Sequence, residues 1–165
     1  KNVQILKSYK KQNSLFVAVT VNPTDEFIKN VVLGTFDYIQ LHGSETKERV
    51  QEIKSMGLKI IKAIKIKDEK DIDNYKRYEN ADIILFDTPG MEKSIKFPKD
   101  LISKLPKGER YALAGSISQN NIENLKKLGV TFCDLSSNLE RDAEIGYKDH
   151  HKIKKFVNKI NEIKN

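Results

Sequence analysis

The 165-residue chain is 38% hydrophobic and 32% charged, as expected for a globular domain, and no apolar run approaches the ~20 residues needed to span a bilayer. Its single cysteine, Cys133, excludes an intramolecular disulfide framework and argues against a zinc site, so we predict a reducing, cytoplasmic location. The formal net charge is +7, but the lysines are spread along the whole chain, which favours solvated helix surfaces over nucleic-acid binding.

Short apolar segments alternate with amphipathic segments along the chain, which is the pattern of a parallel-sheet α/β architecture. Helices are expected between the strands and at residues 149–163, and a long polar loop is expected after the last strand. No linker divides these units, so we predict one domain over residues 1–165, either a barrel or a doubly wound sheet. Six strands are predicted, at residues 15–21, 36–42, 58–66, 81–86, 111–114 and 131–135.

Polar residues stand at the carboxyl ends of four predicted strands. Any one of them could simply cap a strand or a helix. Four together favour a ligand site, because the catalytic residues of (β/α)-barrels lie at this end of the strands. The four strand ends carry Asn22, Gln40 with His42, Asp87, and Asp134.

Two turns of small residues follow the last two predicted strands. The first contains Gly115-Ser116, and the second contains Ser136-Ser137-Asn138. In (β/α)-barrels a phosphate group commonly lies between these two turns, held by backbone N–H groups. The sequence therefore predicts an anion-binding site formed by the two turns.

These segments resemble a known family. Gln40-Leu41-His42-Gly43, followed by Glu45, resembles the Gln-Leu-His-Gly motif in the fourth strand of phosphoribosylanthranilate isomerases. The resemblance implies a (β/α)8 TIM barrel, of which this chain represents strands 3–8, so we expect one barrel domain that is incomplete at its N-terminus. Other segments resemble the family's third, sixth, seventh and eighth strands: residues 16–22, 85–88, 113–116 with Asn121, and 134–140 followed by 146–149.

The resemblance implies an Amadori rearrangement in tryptophan biosynthesis without a metal or an organic cofactor. The phosphorylated small-molecule substrate, N-(5-phosphoribosyl)anthranilate, opens its ribose ring and becomes 1-(2-carboxyphenylamino)-1-deoxyribulose 5-phosphate. Asp87 matches the general acid, and we expect partial burial to raise its pKa. The other matching residues are Asn22, Gln40, His42 and Asp134 for the substrate, and Gly115, Ser116, Ser136, Ser137 and Asn138 for the phosphate.

The chain also departs from the family pattern. The family's first strand holds a Lys-Ile-Cys-Gly motif whose cysteine is the general base, and these 165 residues contain no such segment. Cys133 has the strand parity opposite to the neighbouring site aspartate, so we expect a buried structural thiol. The Gly-Gly-Thr-Gly loop expected after the fourth predicted strand reads Gly90-Met91-Glu92-Lys93, and two glycines of the phosphate turns are replaced, by Ser116 and Asn138.

Two hypotheses follow from these departures. The first is a working isomerase, monomeric or homodimeric, whose cysteine-bearing strand precedes Lys1. The second is a catalytically decayed family member that binds a sugar phosphate or a protein partner. Another phosphate-binding barrel, such as an indole-glycerol-phosphate synthase or a ribulose-phosphate epimerase, is a weaker alternative, because the residue sets of those enzymes are not visible in the sequence. No membrane or nucleic-acid partner is expected.

Overall fold

The computed structural model describes residues 2–8, 14–87, 99–115 and 117–164 of the chain. Strands β1 to β6 follow one another in a single sheet in chain order, and the pairs β1–β2, β2–β3 and β5–β6 are parallel. All six predicted strands are therefore present. Their bounds are Val17–Thr20 for β1, Tyr38–Leu41 for β2, Lys59–Lys65 for β3, Ile83–Asp87 for β4, Tyr111–Ala114 for β5 and Phe132–Asp134 for β6.

Within the described ranges, six α-helices and three other helical segments accompany these strands. None of the described helices is long and apolar enough to cross a bilayer. The α-helices are α1 (Asn2–Ser8), α2 (Asp25–Phe27), α3 (Lys47–Ser55), α4 (Lys99–Lys104), α5 (Ile122–Lys127) and α6 (His150–Lys164). A π-helical segment continues α2 over Ile28–Val32, and 3-10 helices span Glu69–Tyr78 and Ser137–Leu139.

The first of two compact units consists of the described parts of residues 1–64 and 73–85. Threonine side chains start its helices: the Oγ1 atoms of Thr24 and Thr46 accept the backbone N–H groups of Phe27 and Arg49, each at 3.2 Å. Such caps satisfy N–H groups that have no partner within the helix. The core of this unit contains β-branched and leucine side chains that are fully buried, namely Ile28, Val32, Ile39, Leu41, Val50, Ile53 and Ile60.

The second compact unit consists of the described parts of residues 65–72 and 86–165. Two of its aromatic rings, those of Phe86 and Tyr111, stack with centroids 6.0 Å apart. Its core contains apolar side chains from the strands and from the segments that follow them, namely Phe86, Ile102, Leu113, Ile117, Leu125 and Phe156.

The structure differs from the sequence prediction in the segment after β6. The long polar loop predicted there contains a short antiparallel hairpin, β7 (Glu140–Arg141) paired with β8 (Glu144–Lys148). Every residue of β8 is exposed, including Ile145 at 93%. Ile145 and Tyr147 alternate with Glu144, Gly146 and Lys148, a short pattern that the sequence prediction did not assign to a strand. The helix expected between the third and fourth predicted strands is also different, because Glu69–Tyr78 is a 3-10 helix.

Candidate active site

The turn after β2 is built around a buried carboxylate. Glu45 is 4% exposed, and its Oε1 accepts the backbone N–H groups of Asn22 at 2.8 Å and of Gly43 at 3.2 Å. Its Oε2 accepts the same Gly43 N–H at 3.1 Å and the Lys62 ammonium at 2.7 Å. Burial alone would raise the pKa of Glu45, but the hydrogen bonds from Lys62 and from the backbone bring that pKa below its ordinary value. Glu45 is therefore a fixed negative charge beneath the turn.

Lys62 supplies the matching positive charge from the middle of β3. It is 2% exposed, and its Nζ donates to the carbonyl groups of Leu41 at 3.2 Å and Gly43 at 2.9 Å as well as to Glu45. These three acceptors match the three donors of an ammonium group. The ring centre of Tyr78 lies 5.4 Å from Nζ, and the Tyr78 hydroxyl donates to the Glu45 carbonyl at 3.1 Å. The buried ion pair is thus fully hydrogen-bonded.

Asn22 and Gly43 join the turn after β1 to the turn after β2. Asn22 has a φ of 46°, in the left-handed region, and its Oδ1 accepts the Ser44 backbone N–H at 3.0 Å. A Cβ atom at Gly43 would lie 2.5 Å from that Oδ1 and 2.8 Å from Glu45 Oε1. Only glycine fits at this position, because the two turns approach each other closely.

Gln40 and His42 lie at the carboxyl end of β2 and contact each other. Gln40 is 5% exposed, and its Nε2 lies 3.3 Å from Nδ1 of the half-buried His42. This contact holds the two side chains side by side at the end of the strand. The backbone N–H of His42 donates to the Thr20 carbonyl at 2.9 Å.

The register of β1 with β2 decides which of their side chains share a face. Val19 lies opposite Gln40, and Thr20 lies opposite Leu41. Gln40 therefore shares a face with Val19, while Thr20 points to the other face. Asn22 reaches the β2 turn through its left-handed backbone, beyond the end of the strand.

Asp87, the predicted general acid, is the last residue of β4 and is half-buried. Its backbone carbonyl accepts the Ile66 N–H at 2.8 Å, which holds the end of β4 in place. Residues 88–98 lie outside the described residues. This undescribed segment includes the altered loop Gly90–Lys93.

The two predicted phosphate turns contact each other in the second unit. Gly115 has a φ of 88°, and Ser116 lies outside the described residues. The carbonyl of Ile117 accepts the Nδ2 of Asn138 at 2.5 Å. Asn138 therefore uses the amide that distinguishes it from the family's glycine to tie the second turn to the first.

Lys148 holds the turn after β6 from strand β8. Its Nζ donates to the Ser136 carbonyl at 2.9 Å, to the Ser136 Oγ at 3.2 Å and to Glu140 Oε1 at 2.9 Å. The hydrogen bond from Lys148 is the main reason why the pKa of Glu140 lies below its ordinary value. Ser137, the second predicted phosphate residue of this turn, begins the 3-10 helix Ser137–Leu139. The turn is thus anchored by one cation.

Asp134 and Cys133 end β6, and both are half-buried. The thiol was predicted to be buried, and it is less so than expected. Burial, and then the charge of Asp134, raises the pKa of the Cys133 thiol to about 11. Among the described residues, no group of three or more His, Cys, Asp or Glu side chains is placed to hold a metal ion.

Comparison with known proteins identifies the family. The sequence model of N-(5'phosphoribosyl)anthranilate (PRA) isomerase matches residues 1–159. The chain belongs to the phosphoribosylanthranilate isomerase family. The enzyme of this name from Petrotoga mobilis is 37% identical in an alignment 155 residues long that covers 90% of this chain and 72% of that protein. The one from Aquifex aeolicus is 35% identical in an alignment 167 residues long that covers 95% of this chain and 77% of that protein.

Solved structures of phosphoribosylanthranilate isomerases have the same fold. One is a crystal structure in complex with reduced 1-(o-carboxyphenylamino)-1-deoxyribulose 5-phosphate, with a TM-score of 0.77 and 25% identity. The match covers 96% of this chain and 77% of that chain. The isomerase from Thermotoga maritima gives a TM-score of 0.75 at 27% identity, covering 90% and 73%. The resemblance inferred from the motifs is confirmed, and the chain has a (β/α)8-type fold.

Sequence reasoning missed two residues of the candidate site. Lys62 donates to the Gly43 carbonyl in the turn after β2, and Lys148 donates to the Ser136 carbonyl in one of the two predicted turns, but neither was singled out. The signal for Lys62 was a charged residue in the middle of the apolar run Ile60–Ile64, where a lysine needs a buried partner. Glu45 appeared only as part of a motif, and its acceptance of the Asn22 N–H could not be read from the sequence.

Proposed function

We propose that this chain carries out the isomerisation of N-(5'-phosphoribosyl)anthranilate to 1-(2-carboxyphenylamino)-1-deoxyribulose 5-phosphate in tryptophan biosynthesis. The observation that supports this most directly is the family match over residues 1–159. A second support is the similarity to an isomerase crystallised with a reduced form of that product. The reaction is an aldose–ketose isomerisation within one molecule, and it has no need of a metal or an organic cofactor.

The proposed fold is a single (β/α)8 TIM-barrel domain in which β1 to β6 correspond to strands 3 to 8. The apolar side chains of β1 on the face that Gln40 shares support this proposal. Val17, Val19 and the following Val21 are 37%, 64% and 68% exposed. In a closed barrel this row would face the packed interior, where branched apolar residues are typical.

In the proposed mechanism, Asp87 is the general acid that protonates the ribose ring oxygen while a base removes the C2 proton. Its half-buried position at the end of a strand supports this role. Asn22, Gln40, His42 and Asp134 are proposed to bind the substrate. For His42, the contact of Nδ1 with Gln40 orients the ring, and the other ring nitrogen, Nε2, is proposed to bind an oxygen of the sugar or the carboxylate.

The phosphate of the substrate is proposed to bind at the two small-residue turns. The contact of Asn138 with the Ile117 carbonyl and the positive charge of Lys148 beside Ser136 support this. We further propose a cytoplasmic protein that is a monomer or a homodimer; one similar structure is of monomers generated from a dimeric isomerase of Thermotoga maritima. The phosphate residues of the proposal are Gly115, Ser116, Ser136, Ser137 and Asn138.

The test follows the loss of fluorescence of freshly prepared phosphoribosylanthranilate with the purified full-length protein. Turnover above the rate in buffer is the expected result, and a rate equal to buffer would reject the proposal. Asp87→Asn should lower kcat by a factor of about 10² to 10⁴, the usual contribution of a general acid or base, with the fold intact. Asp73→Asn, at a largely exposed side chain, is the matched control and should leave turnover unchanged. An active Asp87→Asn variant would show that another group is the acid.

One observation also supports a second candidate function, that of a catalytically decayed family member that binds a sugar phosphate or a protein partner. The thiol of Cys133, with its pKa raised to about 11, is a poor substitute for the cysteine base of the family. Binding of reduced 1-(o-carboxyphenylamino)-1-deoxyribulose 5-phosphate without turnover would favour this candidate. Turnover would eliminate it.

A further inference from the structure

We infer that the buried pair of Glu45 and Lys62 is a positioning device that fixes His42 and Asn22 for the proposed isomerisation without touching the substrate. The inference rests on the proposed function, and it extends that function to two residues buried beneath the turns. The side chains of Lys62 and Glu45 are only 2% and 1% exposed, so they act through the backbone that they hold.

The pair fixes the backbone on both sides of His42. Before it, the Leu41 carbonyl accepts from Lys62 at 3.2 Å. After it, the Gly43 N–H donates to Glu45 at 3.1 Å and the Gly43 carbonyl accepts from Lys62 at 2.9 Å. The N–H of His42 itself donates to the carbonyl of Thr20. The imidazole therefore projects from a peptide segment whose flanking polar groups are bonded to buried charges.

The same carboxylate fixes Asn22 across the gap between two turns. Glu45 accepts the Asn22 N–H at 2.8 Å, and the Asn22 side chain accepts the Ser44 N–H at 3.0 Å. This arrangement holds Asn22 in its left-handed conformation, which costs free energy for a residue with a side chain. The Glu45 carboxylate thus fixes Asn22 relative to the segment that carries His42.

A stabilising role alone explains the pair poorly. Removing two charges from water is costly, and replacing a buried ion pair with apolar side chains is often neutral or stabilising. In the part of the chain that the structure describes, the side chains of Glu45 and Lys62 donate to or accept from backbone groups of the two turns, among them those of residues 22, 41 and 43, and Lys62 also lies over the Tyr78 ring. Their common effect is the geometry of the segment that carries His42.

The test compares three variants of the full-length protein with a control that destabilises the same unit. The variants are Glu45→Gln, Lys62→Met and the double variant Glu45→Leu/Lys62→Met. The control, Ile53→Ala, removes a fully buried side chain of α3. We measure kcat and KM for phosphoribosylanthranilate, unfolding in urea, and hydrogen exchange of the Asn22 and Gly43 amides, all under conditions in which each variant is folded.

A positioning role predicts that kcat falls by roughly tenfold to a hundredfold in the three variants, as expected when reacting groups are displaced by about 1 Å, while KM changes less. The Asn22 and Gly43 amides should exchange faster than in the control. The double variant decides between the two roles. Each single variant leaves one buried charge unpaired, so the double variant should recover the stability that the single variants lose. Its kcat should nevertheless stay low.

The outcomes separate this inference from the proposed function. A wild-type protein without turnover rejects the proposed function, and the positioning role falls with it. A wild-type protein that turns over, with variants whose kcat matches that of Ile53→Ala, overturns the inference alone. A double variant that regains both stability and kcat would also overturn it, since geometry would then not depend on the pair.

Discussion

Replacing Gly43 with alanine tests the close approach of the two turns. The new Cβ would lie 2.5 Å from Asn22 Oδ1 and 2.8 Å from Glu45 Oε1. Ordinary contact begins near 3.4 Å, so Asn22 Oδ1 would have to retreat by about 0.9 Å. That movement would break its hydrogen bond to the Ser44 N–H, which is 3.0 Å long.

The cost follows from these two effects. Forced overpacking costs about 1–3 kcal/mol, and the lost hydrogen bond adds about 1 kcal/mol, so Gly43→Ala should destabilise the protein by about 2–4 kcal/mol. For a chain of this size, each 1 kcal/mol lowers the Tm by about 2–4 °C. The chain contains no tryptophan, so urea and thermal unfolding are best followed by far-UV circular dichroism.

Making Gly43→Ala in a variant that lacks the Asn22 side chain shows whether the clash with Asn22 causes the loss of stability. Asn22→Gly removes the obstructing oxygen at 2.5 Å and accepts the left-handed backbone, so Gly43→Ala should cost less in that background, where the contact with Glu45 Oε1 at 2.8 Å remains. Gly34→Ala is the control. Gly34 has a φ of 73° and open space around it, so its substitution should cost the same in both backgrounds. An equal cost of Gly43→Ala with and without Asn22 would refute the proposed clash.

Three further predictions concern single groups. The pKa of Glu45 is lowered, despite burial, by the hydrogen bonds from Lys62 and the backbone. The ionised carboxylate therefore contributes its full stabilisation above the ordinary pKa of 4.5, and this stabilisation is lost as the pH falls through the lower pKa of the folded protein. The difference in unfolding free energy between wild type and Glu45→Gln, measured in urea, should accordingly shrink in acid. Lys148→Met should raise the KM for the phosphorylated substrate roughly fivefold, equivalent to about 1 kcal/mol, with little loss of stability. The control Lys159→Met, at a surface pair with Glu123, should leave the KM unchanged. Equal KM values for the two variants would contradict the anchoring role of Lys148. With a pKa of about 11, only on the order of one in ten thousand Cys133 thiols is ionised at neutral pH, so a thiol reagent should label folded protein far more slowly than protein in urea; equal rates would show that the thiol is not shielded.

Much of the fold was predictable because it depends on periodic burial. The apolar runs that end at Leu41 and Ala114 are strands, and the stripe containing Phe156 is a helix, as their spacing predicts. The motif around Gln40-Leu41-His42-Gly43 also identified the family correctly. Such features are encoded in segments of a few residues, so a single sequence contains them.

The remaining features depend on pairing between distant segments. The register that sets Gln40 opposite Val19 is a property of two strands together, and parity within either strand does not determine it. The partner of Lys62 is 17 residues away, on a turn of the same unit. The hairpin that carries Lys148 is exposed, so the alternation of Ile145 and Tyr147 along β8 does not mark a buried face.

Two turns, one in each compact unit, are held by a lysine and a glutamate under opposite exposure. The Lys62–Glu45 pair has side chains that are 2% and 1% exposed, whereas those of Lys148 and Glu140 are 42% and 17% exposed. Salt screens exposed charges strongly and buried ones weakly. The turn that carries His42 is therefore held by interactions that salt hardly changes, which suits the positioning role inferred for the buried pair. The turn at Ser136 is held by a cation that stays accessible to ions from solution, which suits the exchange of a phosphate group proposed for this turn.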